Sequence, residues 1–547
     1  MSNSTSPFTK ISEPGHQPPQ QTVAVIGAGI SGVCTAAHLL RQCLSVTVFE
    51  RSNIAGGVWH FDDRVPLDPS YPSSTPSLGD YEVSQRGQFS YATPPSERSD
   101  ETPDEQPTRV EASNNVSDLE LQFSPPGPCY AGLRNNVPTY LMASSLSHWP
   151  EGTESVISQR DVENYVQSLA EVHGVNTHTL FNTRVDEVKK TPDGLKWELR
   201  SVTLEKGEFG VRFIERLSLF DQVVVASGHY NMPRIPDVDG LREWKARFPS
   251  RIIHSKQYRN PERYRDHNLM VLGAGVSALD ICRELDGIAN TVYQSVRGGQ
   301  YDLPASLLPP SSNRVPEIAS FALDNDQRGH RSLEDGQPVP GRIILKDGQV
   351  LDNIHHVVIA TGYITSYPFL PHLHSDTASI TEPGEFLVVT SDGNMAHNLH
   401  KDIFYIPDPT LAFVGVPYHV ATFSLFDFQA QVVARVFAGR AKLPSQKSMR
   451  EEYEKRVLEK GLSRGFHSLH LEGKEVEYVR ELVDWVNEEH AEEDGKSNDK
   501  MKGHSQEWIT GYYELKAKMR GLFGDRGVKA TAEQAVKGAA SSLVKVD

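Results

Sequence analysis

Apolar and polar positions along this chain follow a rhythm that occurs twice. From Thr22 there is a short apolar run (Val23–Ile26), a glycine turn, apolar residues at Ile30, Val33, Ala37 and Leu40, and a second run, Ser45–Phe49. The middle set falls at i, i+3, i+7 and i+10, as a helix lying on a sheet requires. The same order returns at Leu269–Leu272, a second glycine turn, Ala278, Ile281, Leu285 and Ile288, and Thr291–Val296. Two further β runs break into small residues, Val223-Val224-Val225-Ala226-Ser227-Gly228 and Val357-Val358-Ile359-Ala360-Thr361-Gly362. The pattern predicts a duplicated α/β plan.

Elsewhere a helix is expected over Asp161–Val172, with Val162, Tyr165, Val166 and Leu169 on one face. Strand-like runs follow at Thr179–Val188, Trp197–Val202 and Val211–Leu219. Val476, Val479, Val483 and Val486 mark a helix face ending near Asn487, and Gln506–Phe523 is an amphipathic helix expected to dock on the protein rather than on a membrane. From Phe61 to Pro126 the composition shifts to Ser, Pro, Asp and Glu, predicting a partly disordered surface excursion. Nothing in its composition places it over a pocket. Phe423, Phe426 and Phe428 suit an apolar pocket wall or the core equally.

Composition narrows the chemistry. The formal charge of −16 over 547 residues argues against nucleic acid, which needs a basic face. Residues 1–20 are polar and Pro-rich without a secretory pattern, and no apolar run approaches the ~18 residues of a membrane span. Cys34, Cys43, Cys129 and Cys282 form no CxxC and no metal-ligand spacing, which fits a cytoplasmic protein with reduced thiols.

The turns carry the candidate chemistry. In Gly27-Ala28-Gly29-Ile30-Ser31-Gly32, Gly27 allows the tight turn, Gly29 lets backbone approach a pyrophosphate, and Gly32 lets helix and strand pack closely. The helix start offers free N–H groups to phosphate. Glu50 lies 23 residues past Gly27, close to the ~20 at which a carboxylate reaches a ribose 2′-hydroxyl. This stretch binds a dinucleotide. Gly56-Gly57-Val58-Trp59 follows, with glycines for backbone contact and an indole wall for a flat ligand. In the second turn Gly273 and Gly275 repeat the pattern, Ser277 lies at the helix start and Ala278 replaces the third glycine. No acid stands at the end of its second strand. Ser295 and Arg297 flank that position and suit a 2′-phosphate, hence NADP. Asn136, two residues before Pro138, is most simply a turn residue.

Together these residues resemble the flavin-containing monooxygenases, from about Val23 to Val486 without the 61–126 insertion. Gly27–Gly32, Glu50 and Gly57–Trp59 look like that family's FAD elements. Leu133–Pro138 resembles its LxTNxP segment, which implies that Asn136 approaches the flavin's reacting edge, with Asn135 standing where the pattern has Thr. Asn182-Thr183-Arg184-Val185 resembles the strand whose backbone meets the adenine. Gly273–Ala278 is similar to the NADPH turn, and Ala360-Thr361-Gly362-Tyr363 to the ATGY hinge. Phe248–Tyr258 resembles the signature FxGxxxHxxx(Y/F), with Ser250 in place of glycine. His254 then falls in linker sequence rather than among catalytic groups. The hydrophobic C-terminal anchor of animal microsomal members is missing, which implies a soluble relative.

The resemblance implies two Rossmann-like dinucleotide-binding domains, with an NADPH domain (229–362) inserted into an FAD domain (21–228 and 363–487). A disordered N-terminus (1–20) precedes them, and a linker and C-terminal helix (488–547) follow. It further implies transfer of one O2 atom, through a C4a-hydroperoxyflavin, to nitrogen or sulfur of a small amine or sulfide, with FAD and NADPH as cofactors. Baeyer–Villiger relatives usually carry Trp and then Pro after the histidine spacing; here Tyr258 is followed by Arg259-Asn260, which favours heteroatom oxygenation. The rivals are a Baeyer–Villiger enzyme acting on a ketone and a silent flavin-binding protein. A disulfide reductase needs a redox cysteine pair, which is absent.

Overall fold

The structure, a computed structural model, describes residues 20–80, 107–111, 116–207, 210–299, 301–324, 333–488 and 500–523. The polar N-terminus, the middle of the 61–126 stretch and most of the charged linker after 488 lie outside the described residues.

Thr22–Ile26 is a central strand, which explains its unbroken apolar run. Gln222–Val225 and Ser45–Phe49 flank it in parallel, with Val25 beside Val224 and Val48. Alternate side chains serve two cores, as the pleat demands. Val23 and Val25 pack under the helices Ile30–Arg41 and Thr422–Phe437, whereas Ala24 and Ile26 meet Trp197, Leu199 and Phe220 of an antiparallel sheet. The parallel order is Leu411–Phe413, Gln222–Val225, Thr22–Ile26, Ser45–Phe49, Thr179–Leu180. The second sheet repeats this plan with Ile252–His254, His356–Ile359, Asn268–Leu272, Thr291–Ser295 and Ser312–Val315, all parallel. Both expected α/β blocks are present, and both small-residue turns stand at the carboxyl ends of strands beside the glycine turns.

The predicted single run Thr179–Val188 is two strands in different sheets. Asn182 turns the chain with φ +50°, so Thr179–Leu180 extends the first parallel sheet while Thr183–Lys190 begins the antiparallel one. Asn tolerates that conformation better than other residues with a Cβ.

The first limb of the Ser/Pro/acid-rich stretch is not a solvated loop. Residues 61–80 run along 245–259, the segment entering the second sheet. Gln257 Nε2 donates to the carbonyl of Pro66, Arg259 Nε to that of Arg64, and Asp68 accepts from Lys245 (2.6 Å) and Gln257 (2.9 Å). Asp80 sits between Arg51 (2.8 Å) and Lys256 (3.0 Å), with its side chain only 5% exposed. The two cations hold its carboxyl well below the usual range despite burial. Acidic composition suggested exposure; pairing with cations from both parallel units explains the burial.

The helices Lys474–Glu488 and Gln506–Phe523 form where periodicity placed them. Trp508 and Tyr512 are buried against Leu141 and Ala421, so the last helix docks on the protein. No described helix is long and apolar enough to cross a membrane.

Substituting Asp80→Asn leaves Lys256 buried without a counter-charge, a change that costs about 3–5 kcal/mol in comparable pairs. The urea midpoint is expected to fall accordingly, with part recovered in Asp80→Asn/Lys256→Met. An unchanged midpoint for the single variant contradicts this account of the limb.

Candidate active site

Both glycine turns are built from one close contact. A Cβ on Gly27 would lie 2.7 Å from the carbonyl oxygen of Ala226, and one on Gly273 2.5 Å from that of Ala360. Both glycines have positive φ, +103° and +114°, where a side chain is strained in any case. Gly32 lies on the Gly27 carbonyl, where a Cβ would overlap it, so it serves helix–strand packing. Ala28 is also enclosed and donates its N–H to Glu50 Oε2 at 2.7 Å. Neither Gly32 nor Ala28 reaches the cavity wall.

The turns open into one cavity of about 3980 Å³, several times the ~300–1,000 Å³ of a pocket for one small ligand. Its wall includes Gly27, Gly29, Ile30, Ser31, Glu50, Gly57, Val58, Trp59, Asn136, Val185 and Gly228 from the first unit. From the second come Gly273, Gly275, Ser277, Ser295, Arg297, Thr361 and Gly362. Of the residues expected to hold the two cofactors, all but Ala28 and Gly32 line this cavity.

The donors fit dinucleotides. The helices Ile30–Arg41 and Val276–Glu284 begin without a side-chain cap and without an acid in the first turn. Their amides are left for an anion, which the helix dipole favours. A Cβ on Gly275 meets nothing within 4 Å, so the protein's own packing does not require glycine there. A ligand in the cavity would. Gly29 and Gly57 instead pinch together, a Cβ on Gly57 lying 2.7 Å from Gly29 Cα. Glu50 accepts from Ala28 and from Ser52 (2.8 Å), one bond per oxygen, which fixes the carboxylate and leaves lone pairs toward the cavity. Ser295 is 5% exposed and gives its hydroxyl proton to the carbonyl of Pro316, so it can only accept from a ligand. Arg297 has no partner among the described residues, and the Ser295–Arg297 pair reduces to the arginine as anion donor.

The two adjacent asparagines divide their tasks. Asn135 is buried and holds the turn, donating to the carbonyls of Val137 and Ser155 and accepting from Ile157 N–H. Asn136 makes no side-chain bond among the described residues and lines the cavity. The turn role therefore belongs to Asn135. His254 does not line the cavity. Its Nδ1 accepts from Lys256 N–H, so the proton is on Nε2, which donates to the Gly362 carbonyl at 3.1 Å. Burial lowers its pKa to about 3, and it is neutral. Of the three phenylalanines only Phe426 reaches the cavity; Phe423 and Phe428 are core.

Sequence reasoning missed the far wall, where Tyr301 of the second unit meets Tyr418, His419, Arg464, Glu475 and Lys516 from later segments. Glu475 occupies the buried face read as purely valine; Val479, Leu482 and Val486 share it, while Val476 and Val483 sit on its shoulders. The carboxyl accepts the Ala421 N–H at 2.9 Å. Burial raises its pKa to about 7, opposed by that N–H and by Lys516. A carboxyl within an apolar periodicity was the available signal.

The comparisons with known proteins agree with this geometry. A family model described as flavin-binding monooxygenase-like matches residues 128–306 and 340–491, and an FAD-dependent oxidoreductase model matches 22–61. The chain belongs to the flavin-binding monooxygenase family, and its flavin cofactor is FAD. The flavin-containing monooxygenase ustF2 of Aspergillus flavus is 40% identical over 523 residues, covering 92% of this chain and 98% of that one. The flavin-containing monooxygenase iboF of Amanita muscaria is 29% identical over 506 residues, covering 87% and 90%. Among solved structures, S-allyl-L-cysteine S-oxygenase from Allium sativum superposes with a TM-score of 0.63 at 22% identity, covering 96% and 99%.

Because the folded pKa of Glu475 lies above its ordinary 4.5, the unfolded chain loses this proton first. Stability is then highest below pH 4.5 for this group and is lost as pH rises to about 7, by about 3 kcal/mol in all. Glu475→Gln keeps the acceptor for Ala421 without the charge. It is expected to unfold at higher urea than the parent at pH 8 and at nearly equal urea at pH 5. A gap of the same size at both pH values removes the titration.

Proposed function

We propose that the protein uses NADPH and O2 to place one oxygen atom on a nucleophilic nitrogen or sulfur of a small molecule. The second oxygen atom leaves as water, with two electrons from NADPH. When bound, FAD supplies the activation of O2. One observation carries this reading. Two uncapped helix N-termini, each behind a glycine turn, open on the same cavity, and the unbonded Asn136 amide faces it.

The chain's own groups have separable tasks. The Gly29–Gly57 pinch and the first helix hold the flavin dinucleotide, and Glu50 receives the ribose hydroxyls. The second helix receives the pyrophosphate of NADPH, and Arg297 its 2′-phosphate. Asn136 is neutral at every working pH, so its Nδ2 donates hydrogen bonds without giving up a proton. Trp59 and Phe426 supply apolar wall, which keeps water from the reacting centre. No nucleophile, metal or acid–base pair is needed, because the cofactor carries the redox chemistry.

NADPH consumption against amines, sulfides and ketones, with products identified by mass, tests the reading. N-oxide or S-oxide formation is expected. Lactone or ester from a ketone would replace it with the Baeyer–Villiger alternative, and no bleaching of the flavin by anaerobic NADPH with a silent binding protein. In the same assay Asn136→Ala is expected to divert turnover to hydrogen peroxide, with product per NADPH falling at least threefold. Full coupling in that variant takes Asn136 out of the site.

Arg297→Ala is expected to raise KM for NADPH by tenfold or more and KM for NADH by less than twofold. Equal rises for both nucleotides would falsify the 2′-phosphate contact.

A further inference from the structure

Two guanidinium groups on the cavity wall have no hydrogen bond or ion pair among the described residues, Arg297 and Arg464. The other arginines and lysines lining the cavity are engaged. Arg51 pairs with Asp80, Arg234 donates to the carbonyls of Asp392 and Gly393, and Lys516 donates to that of His470. Arg297 lies beside the second glycine turn. Arg464 comes from the segment that follows the helix Gln446–Lys460, outside both glycine turns.

Its position is specific. A Cβ on Gly362 would lie 2.6 Å from Arg464 Nη2, so the guanidinium rests on the second return turn, at the carboxyl end of His356–Ile359. Ligands of open α/β sheets bind at that edge. His229, Tyr230, Arg234, Tyr301, Tyr418 and His419 lie close enough to feel its charge. Burial lowers His229 and His419 to about 4, so both rings are neutral at pH 7. Arg464 is exposed on the cavity wall, and no described carboxylate pairs with it.

We infer that Arg464 receives a carboxylate of the substrate, making the preferred substrate an anionic thioether or amine rather than a neutral or cationic one. The inference rests on the oxygenase reading above. The dinucleotides leave Arg464 nothing to neutralise, since each pyrophosphate has a helix N-terminus and the 2′-phosphate has Arg297. Arg464 is then available to the third ligand, the substrate. The planar two-donor edge of a guanidinium matches a carboxylate. The protein's net charge of −16 repels an anion at long range, so recognition must come from a local cation without its own partner.

The test uses the FAD-loaded full chain with two probes of one shape, (phenylthio)acetate and (phenylthio)acetamide. Binding is read from the flavin absorbance, and S-oxide formation from product mass. The parent is expected to favour the acid by at least thirtyfold in both Kd and kcat/KM. In Arg464→Ala the ratio is expected to fall to within threefold of one, and in Arg464→Lys to an intermediate value. Equal binding of acid and amide by the parent overturns the inference. So does an Arg464→Ala variant that keeps the ratio while KM for NADPH rises, which assigns the arginine to the dinucleotide. Preferential binding of the acid without any S-oxide supports the Arg464 contact and overturns the oxygenase reading instead.

Discussion

The contact between the first glycine of each turn and the carbonyl that ends the neighbouring strand sets the rest of the site. At 2.5–2.7 Å from a notional Cβ, Gly27 on Ala226 and Gly273 on Ala360 leave no room for any side chain. Because backbone meets backbone there, strand end, helix start and return turn share one edge of each sheet. That edge is where amide donors of a helix N-terminus and the φ-positive glycines Gly228 and Gly362 converge. The same geometry built twice gives two anion-binding edges, and the sheets are placed so that both edges border one cavity. The duplication follows from short-range sterics; the shared cavity requires the contacts between the two units.

Those contacts are polar and partly buried, and they start beside a ligand group. Arg51 follows Glu50 in sequence and pairs with Asp80, which also holds Lys256. Buried ion pairs contribute little net stability over apolar packing, but they are direction-dependent and intolerant of a missing partner. The cluster therefore fixes orientation more than it adds stability. Asp68, paired with Lys245 and bonded to Gln257, extends the same seam along the segment that enters the second sheet.

The sequence was informative wherever one local rule decides the outcome. The glycine turns, the strand runs beside them and the helix face at Ile30, Val33 and Ala37 depend on neighbours within a dozen residues, and the structure has them where periodicity put them. Asn136 needed more: only the hydrogen bonds of Asn135 to Val137, Ser155 and Ile157 show which asparagine holds the turn. Residues 61–80 misled because acidic composition signals solvent only when no buried cation waits for it, and Lys256 lies far along the chain. The far wall was invisible for the same reason. Glu475, Lys516 and Arg464 stand on three separate segments, and no spacing rule relates them to Gly362 or Ala421. Burial can be guessed from a pattern, whereas meeting across the fold cannot.

The seam continues to the second return turn. Lys256 N–H donates to His254 Nδ1, and His254 Nε2 donates to the carbonyl of Gly362. Glu50, Arg51, Asp80, Lys256, His254 and Gly362 thus form one contiguous path from the end of Ser45–Phe49 to the second return turn. From Asp80 to Gly362 each link is a buried polar contact, where a displaced partner is costly. His254 contributes as a neutral ring with one fixed tautomer, because burial keeps it uncharged through the physiological range. A charged imidazole would present a donor at Nδ1 to the Lys256 N–H, and the link would fail. The histidine's place in the family signature is explained by this geometry: it needs one acceptor and one donor nitrogen on a rigid ring, which an amide matches in chemistry but not in reach or stiffness. The path ties the edge of the first glycine turn to the second return turn through Lys256 and His254, which lie behind the cavity surface.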